Sequence, residues 1–195
     1  RGVFYTPKPV VSFIVRSVDK QLRTEFELED GLADTTAWGE MVKRNPGIKI
    51  PKGTSPDQAF VQILDPATGT GTFLVETIAL IHKTMMEKWK AAGESDKDRE
   101  KLWNDYVPKY LLTRIYGYEL LMAPYAVAHL KIGLALRKTG YQFREKQRLH
   151  IYLTNSLEPP SPLANWIPDF LALETRAVNK IKQKRRFTVV IGNPP

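Results

Sequence analysis

Cysteine is absent from the 195 residues. Its absence excludes disulfides, thiolate metal sites and a cysteine nucleophile, and it suits a reducing compartment such as the cytoplasm. Histidine is scarce: His82, His129 and His150 lie too far apart for a short metal-ligand motif. They read as isolated surface or core residues, and no metal is expected. No apolar run approaches the ~20 residues of a membrane span and no signal-peptide pattern opens the chain, so a soluble protein is expected. Two nucleotide fingerprints are missing as well. No GxxxxGK[ST] loop is present to cradle phosphates. The glycine-rich stretch "DPATGTGTF" (65–73) runs on into Leu74, so Phe73 and Leu74 stand where a dinucleotide fingerprint needs its third glycine. A nicotinamide cofactor is therefore disfavoured. The chain starts at Arg1 and not at an initiator Met, and both ends are expected to be cut or processed.

What is present supports one sizeable core, since 43% of the residues are hydrophobic. The formal charge of +8 leans weakly toward a polyanionic partner. The densest basic run, "KIKQKRR" (180–186), reads as a solvated helix end. At about 3.3 Å per residue it stands ~20 Å from Asn193 along the intervening strand, too far to share its ligand.

Four apolar, β-branched or aromatic stretches have strand length: "FVQIL" (60–64), "RIYGYEL" (114–120), "HIYLTNSL" (150–157) and "FTVVIG" (187–192). Their near-continuous hydrophobicity predicts strands covered on both faces. Helical stripes lie between them: Leu74, Ile78, Ile81, Met85 and Trp89; Ala126, Leu130 and Leu134 after Pro124; Phe170, Leu173, Ala177 and Ile181. Each stripe predicts a core-facing side. Alternating strands and helices predict an α/β fold with a mainly parallel sheet in a three-layer α/β/α arrangement. Ahead of the first strand, "TPKPVVSFIVRSVDKQL" predicts a helix with Thr6 as N-cap, Pro7 in the first turn, and Val11, Ile14, Val15, Val18 and Leu22 on one face. The expected division is a helix over 1–26, a loop or small insertion over 27–58 anchored by Trp38 and Met41, and four β/α units over 59–195. A charged stretch at 91–108 reads as an exposed helical excursion.

In an open parallel sheet, ligands bind at the carboxyl ends of the strands where strand order reverses. All four predicted strands carry a distinctive residue there. The first runs into Asp65, Pro66 and Ala67, with Gly69 and Gly71 allowing a tight turn and close backbone approach to a ligand. The second ends in Glu119, whose carboxylate can accept from both ribose hydroxyls of a nucleoside, or can simply be a solvated acid. The third ends in Asn155, an amide able to read an adenine edge, or an ordinary turn residue. The fourth delivers Asn193-Pro194-Pro195, where two prolines stiffen the loop and forbid an interior strand.

"DPATGTG", "YGYEL" and above all "IGNPP" resemble the S-adenosylmethionine-dependent methyltransferases that modify N6 of adenine in DNA. The order of elements, with "GVFYTPKPVVSFIV" first and Asn-Pro-Pro last, is similar to the gamma subgroup. The spellings "FYTP", "DPATGTGTFL" and "YLTNSLE" look like the methylase segment of large single-chain restriction-modification enzymes. The resemblance implies a Rossmann-like methyltransferase fold, S-adenosyl-L-methionine as cofactor and double-stranded DNA as partner, with the target adenine flipped out. It also implies a larger polypeptide with a target-recognition domain and an aromatic residue after Pro195, and little activity from these residues alone. By the same resemblance Tyr5 and Thr6 contact the methionine moiety, and Asp65 with the loop of Pro66, Ala67, Gly69 and Gly71 holds its amino group. Glu119, with Leu120 beside it, holds the ribose, and Asn155 touches the cofactor adenine. The catalytic unit is Asn193, Pro194 and Pro195. Two carbonyl oxygens accepting the N6 hydrogens draw a conjugated, weakly nucleophilic nitrogen toward tetrahedral geometry, and the prolines hold those oxygens in place. A protein glutamine or an RNA base offers the same planar nitrogen, and a non-catalytic nucleic-acid scaffold suits the charge.

Overall fold

Ile63, Ile115, Ile151 and Val189 belong to one buried apolar cluster, while their chain neighbours Leu64, Tyr116 and Tyr152 belong to a second. A period of two sends successive side chains to opposite sides of a sheet, so two clusters mean a sheet covered on both faces. The computed structural model describes residues 6–144, 147–158 and 169–194, with side chains in the last segment from 176. Its strands are β1 (Ile63–Asp65), β2 (Ile115–Glu119), β3 (His150–Leu153) and β4 (Val189–Val190), all parallel, in the order β3-β2-β1-β4. Leu64 stands beside Tyr116 on one flank and Val190 on the other, and Glu119 beside Leu153. With its helices, this is a Rossmann-like α/β architecture.

Helices α1 (Lys8–Glu25), α3 (Thr72–Ala91) and α5 (Met122–Lys138) supply the first cluster, and α6 (Asp169–Lys184) covers the second with Val178, Ala177 and Ile181. The predicted α3 stripe is buried through Leu74, Ile78, Ile81 and Met85, and each such side chain contributes about 1.5–3 kcal/mol by leaving water. The predicted face of α1 is likewise inward, with Val11 and Val15 fully buried.

Four expectations change. In α5 the buried face is Ala128, Ile132 and Leu136, whereas Leu130 is 62% and Leu134 47% exposed. Two interleaved apolar stripes fit this helix, and Ile132 wins because it packs beneath Gly71 at the start of α3. Thr6 does not cap α1: Pro7 is the N-cap, and its carbonyl takes the amides of Val10 and Val11. The 91–108 stretch does form a helix, α4 (Asp96–Tyr106), but Trp103 and Tyr106 are buried in the core. Pro108 lacks an N–H, and the helix widens into a π turn over Val107–Leu111. Finally, β4 is not covered on both faces among the described residues, since Val190 is 63% exposed.

Residues 27–58 hold a short helix, α2 (Trp38–Arg44), pinned by the expected Trp38 and Met41 and by the fully buried Leu28 and Leu32. Arg114, fully buried at the start of β2, donates to the Asp34 carbonyl at 2.6 Å and to the Tyr106 hydroxyl at 2.5 Å, which ties this segment to the sheet. Among the described residues no helix is long and apolar enough to cross a membrane.

Candidate functional site

The chain leaves β1 to build β2 and β3 on one side, then returns to lay β4 on the other. The reversal falls between β1 and β4, and their carboxyl ends are Asp65 and the Gly192-Asn193 loop. At this place in a parallel sheet the following loops diverge and leave a crevice.

Asp65 is fully buried. Its Oδ1 accepts from the Ala67 amide at 3.1 Å, and its backbone carbonyl accepts from the Thr68 hydroxyl at 3.1 Å. Oδ2 is buried with no hydrogen-bond partner. Burial pushes the carboxyl up to about 7, against the Ala67 hydrogen bond and with the Glu119 charge adding to the rise. An orphaned acid oxygen at the floor of a crevice is complementary to a cationic group on a ligand.

Gly69 and Gly71 adopt φ of +54° and +83°, a region that strains any side chain, and the loop between them opens α3. The Thr68 amide donates to the Tyr118 carbonyl at 2.9 Å, so the loop folds back over β2. Gly117 makes this approach possible, because a Cβ there would lie 2.4 Å from Thr68 Oγ1 and 2.9 Å from Ile151 Cδ1. Glu119, at the end of β2, accepts from the Gly69 amide through Oε2 and from the Leu121 amide through Oε1, each at 2.8 Å. Each oxygen keeps a further lone pair for a ligand hydroxyl. Leu120 follows as a 62% exposed apolar surface. Lys131, on α5, lies 3.2 Å from Thr70 Oγ1 and 3.3 Å from Thr72 Oγ1, which steadies the outer side of the loop.

Asn155 sits near Glu119 through the Thr154 amide, which donates to the Glu119 carbonyl at 2.7 Å. Its amide serves its own turn: Oδ1 accepts from the Leu157 amide at 3.0 Å and Nδ2 donates to Glu158 Oε1 at 2.9 Å. Lys182, from the basic run, donates to the Asn155 and Glu158 carbonyls at 2.6 and 3.0 Å. The ~20 Å separation expected along the strand therefore does not isolate the run from this edge, because a lysine stem reaches from α6 across the edge strand. Burial lowers the Lys182 pKa, with Glu158 opposing.

Gly192 lies against Asp65, and a Cβ on it would fall 2.6 Å from Asp65 Oδ1. The next residue, Asn193, is exposed and donates from Nδ2 to Thr6 Oγ1 at 3.1 Å. The fold thus gathers Asp65, Pro66, Ala67, Gly69, Gly71, Glu119, Leu120, Asn193, Pro194 and Thr6 around the carboxyl edge, with Asn155 at its rim. Tyr5 and Pro195 lie outside the described residues. Sequence reading missed the roles of Gly117 and Gly192. The available signal was a glycine inside an otherwise bulky strand, which marks a close backbone approach. The histidines are taken up in packing: His82 stacks edge-on to Trp103 at 4.7 Å, and His150 Nδ1 meets the Tyr152 hydroxyl at 2.8 Å.

No protein-family model and no curated protein sequence matches the chain. Solved structures do. The ATP-dependent Type ISP restriction-modification enzyme LlaBIII bound to DNA superposes with a TM-score of 0.62 and 24% identity, over 100% of this chain and 11% of that one. A nuclease-deletion mutant of the Type ISP restriction-modification enzyme LlaGI, in complex with a DNA substrate mimic, gives 0.64 and 24% over 99% of this chain and 13% of that one. The cryo-EM structure of a DrdV–DNA complex gives 0.57 and 26% over 100% and 14%. The chain therefore spans roughly an eighth of the neighbours it matches, and at such identities the likeness is one of fold.

Proposed function

We propose that this chain is the methyl-transfer module of a DNA restriction-modification polypeptide, moving a methyl group from S-adenosylmethionine to N6 of an adenine turned out of the duplex. The observation that carries this reading is the contact between Gly192 and Asp65, which sets the Asn-Pro-Pro loop beside the loop suited to a cofactor. The fold neighbours support it, since two are restriction-modification enzymes and all three were solved with DNA or a DNA mimic.

The residues present fit the cofactor. The orphaned Asp65 Oδ2 complements an ammonium, Glu119 has acceptor capacity left for two hydroxyls, and Leu120 offers an apolar surface to a base. Bound S-adenosylmethionine supplies an activated methyl carbon and keeps the carbon–sulfur electron pair as a thioether when that carbon leaves. Asn193 Oδ1 and the Pro194 carbonyl accept the two hydrogens of the target amine, which frees its lone pair to form the new carbon–nitrogen bond. The nitrogen then carries the positive charge and sheds one hydrogen as a proton to solvent. No base is needed before the attack.

The test uses the full-length polypeptide that carries this chain, labelled S-adenosylmethionine and duplex DNA, with nucleoside analysis for N6-methyladenine. Wild type should incorporate label into adenine, and Asn193→Ala should slow transfer by about 10²–10³-fold, the scale of losing one preorganised polar group. Label in RNA or in protein glutamine, or none in DNA, would sink the reading.

A further inference from the structure

We infer that Thr6 is a positioning residue for Asn193: its hydroxyl engages the amide nitrogen and so turns the amide oxygen toward the target amine. The inference rests on the methyl-transfer reading above. An asparagine amide presents a donor on one side and an acceptor on the other, and rotating it by half a turn exchanges them. Only one orientation accepts a hydrogen from an amine; the other sets N–H against N–H. The last torsion of asparagine is broad and roughly two-fold, so the side chain does not choose by itself. Asn193 is exposed, so packing does not choose for it either.

The hydroxyl of Thr6 does choose, by accepting from Nδ2 at 3.1 Å across a separation of 187 residues. Thr6 is available for this because it makes no helix cap; Pro7 occupies that position without any side-chain capping bond. Its location is set by packing one turn further along α1. Val11 and Val15 are fully buried, and the Ser12 hydroxyl donates to Glu76 on α3. The start of α1 is thereby held over the carboxyl edge of the sheet, and the hydroxyl is a fixed reference for a side chain that lacks one of its own.

The experiment compares Thr6→Val, which keeps the shape and removes the hydroxyl, with Thr6→Ser, which keeps the hydroxyl. Both are made in the full-length polypeptide, alone and in an Asn193→Ala background. Single-turnover methyl transfer is measured at saturating cofactor and DNA, and cofactor Kd by calorimetry. Thr6→Val should slow transfer roughly three- to tenfold, the population shift one neutral hydrogen bond commands, while Kd stays within about twofold by the same reasoning. Thr6→Ser should restore most of the rate, and Thr6→Val should add nothing once Asn193 is alanine, since a coupled pair is non-additive. A wild-type rate in Thr6→Val, a loss confined to Kd, or an undiminished loss in the Asn193→Ala background would each overturn the inference. A wild type that leaves DNA adenine unmethylated in the same assay would instead overturn the underlying reading, and this inference with it.

Discussion

A Cβ built on Gly192 would fall 2.6 Å from Asp65 Oδ1 and 3.4 Å from Pro66 Cδ, so the loops after β1 and β4 touch where only a hydrogen fits. The acid that suits a cofactor and the amide that suits a substrate amine are held at one point by this missing side chain. Gly192→Ala should therefore push the Asn193 loop off the β1 loop. Overpacking of this kind costs about 1–3 kcal/mol, and urea denaturation should show it together with a loss of methyl transfer. The parallel change Gly117→Ala, whose Cβ would meet Thr68 Oγ1 at 2.4 Å, should cost a similar amount and weaken cofactor binding.

Asp65 gives the site a pH dependence whose sign follows from its burial. The folded carboxyl titrates at about 7 against a usual value of 3.8, so the native state holds the proton more tightly than the unfolded chain. Its stabilising contribution is complete below about pH 4, is lost as pH rises toward about 7, and stays lost above. Asp65→Asn should raise Tm at pH 8, on the order of 4 kcal/mol for a shift of this size, and leave it little changed at pH 4. The same variant should bind S-adenosylmethionine far more weakly. Wild-type cofactor affinity should fall as pH drops below about 7, because the ammonium then meets a neutral acid; calorimetry across pH 5.5–8 checks both.

Glu119 ties the two loops by accepting from Gly69 and Leu121, each at 2.8 Å. Removing the carboxylate in Glu119→Ala leaves both amides without that acceptor. The expected loss is about 2 kcal/mol of stability, at the lower end for hydrogen bonds to a charged group. Cofactor affinity should fall at least about tenfold for the same reason. Denaturant unfolding and calorimetry separate the two effects.

The register of α5 makes a contrast within one helix. Leu130→Gln and Leu134→Gln change exposed positions and should alter stability by no more than about 0.5 kcal/mol. Ile132→Ala empties a buried one and should cost about 2–5 kcal/mol. Thermal melts of the three variants would reverse this order if the outer stripe were the packed one.

Strand character, helix periodicity and the chemistry at each strand end were legible in the sequence because they are local. β-branched runs, four-and-three spacing and glycine-rich turns act within a few residues, and the parallel α/β fold follows from their alternation. Asp65, Gly69, Gly71, Glu119 and Asn193 were singled out on that basis, together with the expectation that they share one edge. Tertiary structure alone decided which of two apolar stripes α5 buries, since both satisfy the helical period and only contact with Gly71 separates them. It also decided that Thr6 faces Asn193 instead of capping its helix, and that Lys182 reaches the Asn155 turn. Each of these joins residues far apart in the chain. No short-range preference encodes such a meeting, because it exists only after the helices and the sheet have packed.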